Sequence, residues 1–161
     1  MFKKISDKIS RYKNKKLIKK YPFIRVAGVA DEFTMLDWLP RGWKRAFGKR
    51  LCEEIRKELV THNKLDTYVL LQVKEKFGQL RWYGLGGTER IERQIIPRYE
   101  RLSMHTCVNC GKRATKVSIN WCLPLCDHCA KKVSGNFSVL EEPKPSKGRR
   151  WEAIYDEYEG N

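Results

Sequence analysis

Long apolar runs are missing from this sequence of 161 residues. No stretch approaches the roughly 20 consecutive apolar residues that a membrane-spanning helix needs, so we expect no membrane span. The first residues carry lysines without the apolar core of a secretory signal, and we therefore expect a cytoplasmic protein. Because that compartment keeps thiols reduced, a disulfide framework for the six cysteines is not expected.

Acidic residues are scarce relative to basic ones. The chain has 19 Asp and Glu against 34 Lys and Arg, which leaves a formal net charge of +15. An excess of this size on a small chain indicates a polyanionic partner, such as nucleic acid, an acidic protein surface or an anionic membrane surface. Hydrophobic residues make up 41% of the chain and include five Trp, seven Tyr and six Phe, which is enough for a core and excludes global disorder.

Four of the six cysteines form two pairs with the spacing of a metal site. Cys107 and Cys110 enclose two residues, Cys126 and Cys129 enclose two more, and residues 111–125 separate the pairs. Each pair can form a tight knuckle that aims two sulfurs at one point, as in zinc ribbons. Gly111 follows the first pair, where a knuckle needs a residue with positive φ. The pattern predicts one structural Zn²⁺ held by four thiolates, with no coordination position left for catalysis.

Other interpretations of the cysteines fit the spacing less well. A thioredoxin-like redox site uses a single Cys-x-x-Cys, so two pairs argue against redox-active thiols. Cys122 and His128 are rival ligands, but Cys122 fits the knuckle poorly and the ring of His128 should point outward. Cys52 lies in a helical pattern and is expected to be a small core residue.

A basic amphipathic helix is predicted over residues 1–21, and it should stop before Pro22. Its apolar residues recur at roughly helical spacing among nine basic residues, which are Lys3, Lys4, Lys8, Arg11, Lys13, Lys15, Lys16, Lys19 and Lys20. Two interpretations stay open. The helix is either an arm that binds nucleic acid or a membrane surface, or an element whose apolar stripe docks on the rest of the protein while its lysines are solvated.

Residues 22–104 are predicted to form an α+β body in which a two-stranded antiparallel hairpin packs with helices. The apolar pattern predicts helices at about 41–62 and 88–104 and a hairpin at about 67–85, with Gly78 at a positive φ in the turn. The predicted core joins Val69, Leu71, Val73, Leu80 and Trp82 of the hairpin to Trp43, Phe47, Leu51 and Ile55 of the first helix.

Two further segments complete the predicted organisation. Residues 105–134 form the four-cysteine zinc module, and residues 135–161 form a linker followed by an acidic, aromatic tail. Whether the tail folds back on a basic surface stays open.

Residues 40–130 carry a set of local motifs. These are Gly42-Trp43, Leu51-Cys52-Glu53, Gln72-Val73-Lys74-Glu75-Lys76-Phe77-Gly78 followed by Leu80-Arg81, Cys107-x-x-Cys110-Gly111, and Leu125-Cys126-x-x-Cys129. With these motifs the chain resembles a family of small uncharacterised bacteriophage and prophage proteins. The resemblance implies a phage-type origin, the cytoplasm of a bacterial host as the location, and a zinc site. It implies no reaction.

Patterns that would support catalysis are weak. Asp66, Gln72 and Lys74, with Glu53 or Glu54, faintly match a metal-dependent nuclease core, but Asp66 and Gln72 would share one strand where that core uses neighbouring strands. None of the three histidines falls between the two cysteine pairs, as an HNH-type nuclease needs. We expect a protein that is not an enzyme, with a metal-dependent nuclease as an alternative.

The expected function is therefore binding. The candidate contact residues are the nine basic residues of the N-terminal helix together with Lys74, Lys76 and Arg81, beside Tyr83, on the hairpin. Trp82 is expected in the core opposite Val73. The favoured function is an accessory zinc protein that binds nucleic acid or a host nucleic-acid-processing complex, and the alternative is an inhibitor of a host defence system that acts by protein–protein binding.

Overall fold

A computed structural model describes the backbone of residues 2–29 and 31–140 and the side chains of residues 11–29 and 31–140. The tail predicted over 135–161 lies outside the described residues from position 141 onward. The side chains of Lys3, Lys4 and Lys8 also lie outside them.

Helices and two small antiparallel sheets alternate along the chain. The order is α1 (Phe2–Lys20), the 3₁₀ turns Pro22–Ile24 and Met35–Trp38, α2 (Arg41–Trp43), a π-helical segment (Lys44–Gly48), α3 (Lys49–Thr61), β1 (Val69–Lys76), β2 (Gln79–Leu85), a second π-helical segment (Ile91–Ile95), α4 (Ile96–Met104), β3 (Lys116–Ser118), β4 (Pro124–Leu125), α5 (Asp127–Ala130) and β5 (Phe137–Val139). One sheet is the β1–β2 hairpin and the other has the order β4-β3-β5. The α+β class predicted from the sequence is confirmed, and β5 lies in the segment predicted as linker.

The core is built on the helical run 41–61. Its apolar side chains recur every four residues and are at most 2% exposed: Trp43, Phe47, Leu51, Ile55 and Leu59. They belong to one continuous hydrophobic cluster that also contains Leu80 of β2 and Tyr99 of α4. The helical core residues predicted from the apolar stripe are therefore confirmed.

The predicted phase of β1 is wrong at two positions. Val73 lies opposite Trp82 and both are buried, as predicted, but Val69 and Leu71 are each 53% exposed. Leu70, at 4% exposed, takes their place in the core. The register shifts between Leu70 and Gln72, which marks a β-bulge. Because one extra residue reverses the alternation of side chains along a strand, the buried position preceding Val73 moves from Leu71 to Leu70.

Helix α1 ends at Lys20, just before Pro22, as predicted, and its second half docks on the body. Ile18 is 2% exposed, and the buried Asn14 amide donates hydrogen bonds to the carbonyl oxygen of Glu32 (2.7 Å) and to Oδ2 of Asp37 (2.9 Å). An amide buried with two acceptors ties the helix in place. The docked interpretation therefore holds for this half of the helix, and its lysines stay exposed.

The segment with the cysteine pairs packs directly on the helical run 41–61. The amide of Gly42 donates to the carbonyl oxygen of Val108 (2.7 Å), and Nε1 of Trp43 donates to that of Thr106 (2.8 Å). Cys107 and Leu125 belong to the same hydrophobic cluster as the helices. One core thus serves both segments in the described part of the chain.

Among the described residues, no helix has the length and apolar character that crossing a bilayer requires.

Candidate metal centre and basic surface

The four paired cysteines meet at one point, as the spacing predicts. The sulfur atoms of Cys107, Cys110, Cys126 and Cys129 all lie within 4.8 Å of one another, and those of Cys110 and Cys126 are 3.6 Å apart. A tetrahedral ion with metal–sulfur bonds of about 2.3 Å needs sulfurs about 3.8 Å apart. The four thiols are therefore placed to hold one metal ion.

Local backbone structure aims each pair of sulfurs. After the first pair, the amide of Gly111 donates to the carbonyl oxygen of Cys107 (2.9 Å), and Gly111 has φ +80°, as predicted for this position. Cys126 stands at the N-cap of α5, where its carbonyl oxygen accepts from the amide of Ala130 (2.9 Å). Both turns bring the two sulfurs of a pair to the same side of the backbone.

Backbone amides partly compensate for the burial of the thiols. Burial would raise the pKa of Cys107, but the amides of Cys126, Cys110 and Asn109 donate to its sulfur and lower the pKa to about 7. For Cys110 burial outweighs a single amide donor, from Lys112, and the pKa is raised. Burial likewise raises the pKa of Cys129. The backbone therefore favours a thiolate at Cys107, and a bound cation would stabilise thiolates at the cluster further.

The rival ligands lie outside the cluster. Cys122 is exposed and sits in a loop with φ +55°, and His128 is exposed on α5. Cys52 is fully buried in the core, as expected from its place in the helical stripe, and burial raises its pKa. Within the described part of the chain, the four paired cysteines are the only group of three or more Cys, His, Asp or Glu side chains placed to hold a metal.

A groove lined by lysines runs between α1 and the helical run 41–61. We call it the lysine groove. It has a volume of about 600 Å³ and is lined by Lys13, Asn14, Lys16, Leu17, Lys20, Tyr21, Lys44 and Lys49. Three of the basic residues predicted from the N-terminal helix are thus brought together with two lysines of a distant segment. The lining also includes the apolar residue Leu17 and the aromatic residue Tyr21.

The other predicted contact residues lie in different places. Arg11 forms an ion pair with Glu32 (3.1 Å), while Lys15 and Lys19 are exposed outside the groove lining. On the hairpin, Lys74 lies opposite Arg81 in the register, and Nη1 of Arg81 is 3.9 Å from Oε1 of Glu100 on α4.

The three carboxylates that were candidates for a nuclease site do not form one. Two of them are bound by other side chains, and the third lies in a loop. Glu53 accepts a hydrogen bond from the Tyr21 hydroxyl (2.9 Å) and pairs with Lys20 (2.7 Å), contacts that lower its pKa. Glu54 is bound by Arg98 and Tyr99. Asp66 is exposed in the loop before β1. These side chains are not gathered around one point.

Sequence reasoning missed Lys44 and Lys49 as members of the basic surface. They lie on a helix whose apolar stripe was recognised, but nothing local in the sequence indicates that this part of the helix faces α1. Only the docking of α1, through Asn14 and Ile18, brings them beside Lys13 and Lys16.

Comparison with known proteins gave no relative, since no protein-family model, curated protein or solved structure matches this chain.

Proposed function

We propose that the ion held by the four cysteines is Zn²⁺ and that residues 105–134 form a zinc-ribbon-like structural module. Four thiolates, spaced as the ligands of a tetrahedral ion are, form a donor set that Zn²⁺ prefers. They leave no open coordination position for a substrate. The antiparallel pairing of β3 with β4 between the two cysteine pairs supports the ribbon. When bound, the ion would cross-link the two knuckles.

Elemental analysis of the purified protein tests this assignment. We expect about one zinc per chain, lost in Cys107→Ser and kept in the control Cys122→Ser, because Cys122 lies outside the cluster. Less than half an equivalent in the unmodified protein, or equal loss in both variants, would contradict the assignment.

We further propose that the protein binds nucleic acid without acting on it as an enzyme, as an accessory protein of a bacteriophage. The phage assignment rests on the resemblance of residues 40–130. The binding assignment rests on how the charges are distributed. Ion pairs between described residues engage at least nine of the twelve carboxylates with described side chains, namely Asp31, Glu32, Asp37, Glu53, Glu54, Glu58, Glu89, Glu100 and Asp127.

The lysine groove carries this proposal. Lys20 and Lys44 of its lining pair with Glu53 and Asp37. Among the described side chains, no carboxylate lies within ion-pair distance of Lys13, Lys16 or Lys49. Because these three cations have no counter-charge among the described side chains, they repel one another across the groove, and a phosphate backbone would relieve that repulsion.

A salt series on oligonucleotide binding tests the function. Fluorescence anisotropy with single-stranded and duplex DNA or RNA should show log Kd rising linearly with log salt concentration. Changing Lys13, Lys16 and Lys49 to Gln should reduce the magnitude of the slope by up to about 0.9 per contact on duplex DNA and about 0.7 on a single strand.

The control variant changes Lys57, Lys131 and Lys132 to Gln, which removes the same charge from exposed positions outside the groove. It should alter the slope less than the groove variant does. Equal slopes would show that the groove is not the contact. If no nucleic acid binds at about 50 mM salt, the proposal of nucleic-acid binding is wrong. The alternative function is then binding to a protein partner, in a complex that persists at about 0.5 M salt.

A further inference from the structure

The turn of the β1–β2 hairpin holds a bulky residue in an unfavourable backbone conformation. Lys76 pairs with Gln79, so the turn contains two residues, Phe77 and Gly78, with φ +50° and +75°. Positive φ at both positions defines a type I′ turn, where the first residue is usually Asn, Asp or Gly because a bulky side chain is disfavoured there. Phe77 gains no burial in exchange, since it is 63% exposed.

A second residue with the same unfavourable conformation touches this turn. Cys122, with φ +55°, lies so close that a Cβ on Gly78 would be 2.0 Å from the Cys122 carbonyl oxygen. Its neighbour Trp121 is 68% exposed. Asn63, at the end of α3, is the third non-glycine residue with positive φ in the described chain, and Asn tolerates that conformation. The two costly positions therefore meet at one place, and each stands at or next to an exposed aromatic residue.

Cations accompany the aromatic residues on the hairpin. Nζ of Lys76 is 5.9 Å from the centre of the Phe77 ring, and Nζ of Lys74 is 5.8 Å from that of Tyr83, which is 47% exposed. The nearby carboxylate of Glu75 is engaged in the turn, where its Oε1 accepts from the amide of Gly78 (2.7 Å). Aromatic faces flanked by lysines fit a ligand that offers both flat rings and negative charge.

We propose that Phe77 and Trp121 form a base-stacking platform that selects single-stranded nucleic acid, with Lys74 and Lys76 contacting the phosphates. This inference rests on the proposed function and adds the class of nucleic acid to it. Strained backbone conformations cluster at ligand-contacting sites, and here Phe77 and Cys122 hold such conformations at, or next to, an exposed aromatic side chain. In a duplex the bases already stack on each other, so their faces are open only in a single strand.

The test compares the binding of an oligonucleotide of about 20 nucleotides as a single strand and as a duplex. The variants are Phe77→Asn and Trp121→Ala, and the control is Leu85→Ala, which removes a side chain of similar exposure (60%) at the other end of β2. Each platform variant should weaken single-strand binding about 5- to 100-fold, and duplex binding should change less than about twofold.

Phe77→Asn also separates binding from folding, because Asn-Gly is the favoured pair in a type I′ turn. Its melting temperature should equal or exceed that of the unmodified protein while its single-strand affinity falls. Variants that bind single strands as the unmodified protein does, or that lose single-strand and duplex affinity equally, overturn the platform and leave the proposed function intact. An unmodified protein that binds neither form overturns the proposed function and the platform with it.

Discussion

Gly42 is the residue through which the helical run 41–61 meets the first cysteine knuckle. A Cβ at this position would lie 2.1 Å from the carbonyl oxygen of Cys107 and 2.7 Å from the amide nitrogen of Gly111. Both are backbone atoms, so no side-chain movement can make room. We expect Gly42→Ala to lower the free energy of unfolding by about 1–3 kcal/mol or more and to weaken metal retention.

Gly48 provides the matched control in the same helical run. The nearest atoms to its Cβ would be 3.9 Å away, which is ordinary contact, and its φ of −52° suits any residue. Gly48→Ala should be neutral or should raise the free energy of unfolding by up to about 1 kcal/mol, because alanine has a higher helix propensity than glycine. Urea unfolding of both variants is the measurement, and equal effects would show that the close approach at Gly42 is not what limits substitution.

At the scale of single elements, the bulge in β1 decides which leucine belongs to the core. Leu70 is 4% exposed and Leu71 is 53% exposed, although the two are adjacent and chemically identical. Leu70→Ala should lower the free energy of unfolding by about 2–5 kcal/mol because it opens a cavity, and Leu71→Ala should change it by less than about 0.5 kcal/mol. Chemical denaturation measures both losses of stability. A larger loss for Leu71→Ala than for Leu70→Ala would show that the bulge lies elsewhere in β1.

Asp37, in the 3₁₀ turn Met35–Trp38, joins three elements. Its carboxylate accepts hydrogen bonds from the Asn14 side chain of α1 (2.9 Å) and the Thr34 amide (2.7 Å), and it pairs with Lys44 of the π-helical segment. Burial alone would raise its pKa, but the bonds from Lys44 and Thr34 outweigh burial and hold the pKa below its usual value. The folded protein therefore stabilises the ionised form of Asp37, which also accepts the hydrogen bond from Asn14 of α1.

The sign of the resulting pH dependence follows from that lowered pKa. The stabilisation is complete above the unfolded-state pKa, about 3.9, and is lost as pH falls through the lower folded-state pKa. The unfolding free energy should therefore fall more steeply in acid for the unmodified protein than for Asp37→Asn. Acid also displaces metal from thiolates, so the difference between the variants at each pH is the quantity to compare.

At the scale of the whole molecule, the metal centre and the helical core share one interior. Cys107, Leu125 and Cys126 belong to the hydrophobic cluster that contains Trp43 and Ile55. Removing the proposed metal ion with a strong chelator should therefore weaken protection against hydrogen exchange in α3 as well as around the cysteines. Loss of protection confined to residues 105–134 would show two independent units.

Local chemistry determined the features that the sequence could predict. The two Cys-x-x-Cys pairs predict four sulfurs that could hold a metal ion, because each knuckle is built from residues next to each other in the chain. Gly111 and Gly78 have the positive φ predicted for them. The buried stripe from Trp43 to Ile55 follows from helical periodicity. The charge excess of +15 follows from the amino-acid composition alone.

Contacts between distant residues decided the rest. Periodicity of two places Leu71 in the core, and only pairing with β2 reveals the bulge that puts Leu70 there, because an extra residue has no signature in an apolar run. Helix α1 docks with a hydrogen bond from Asn14 to Asp37. This docking places the lysines of α1 beside Lys44 and Lys49 in the lysine groove. Neither event leaves a local pattern in the sequence, since each depends on which surfaces lie together once the chain has folded.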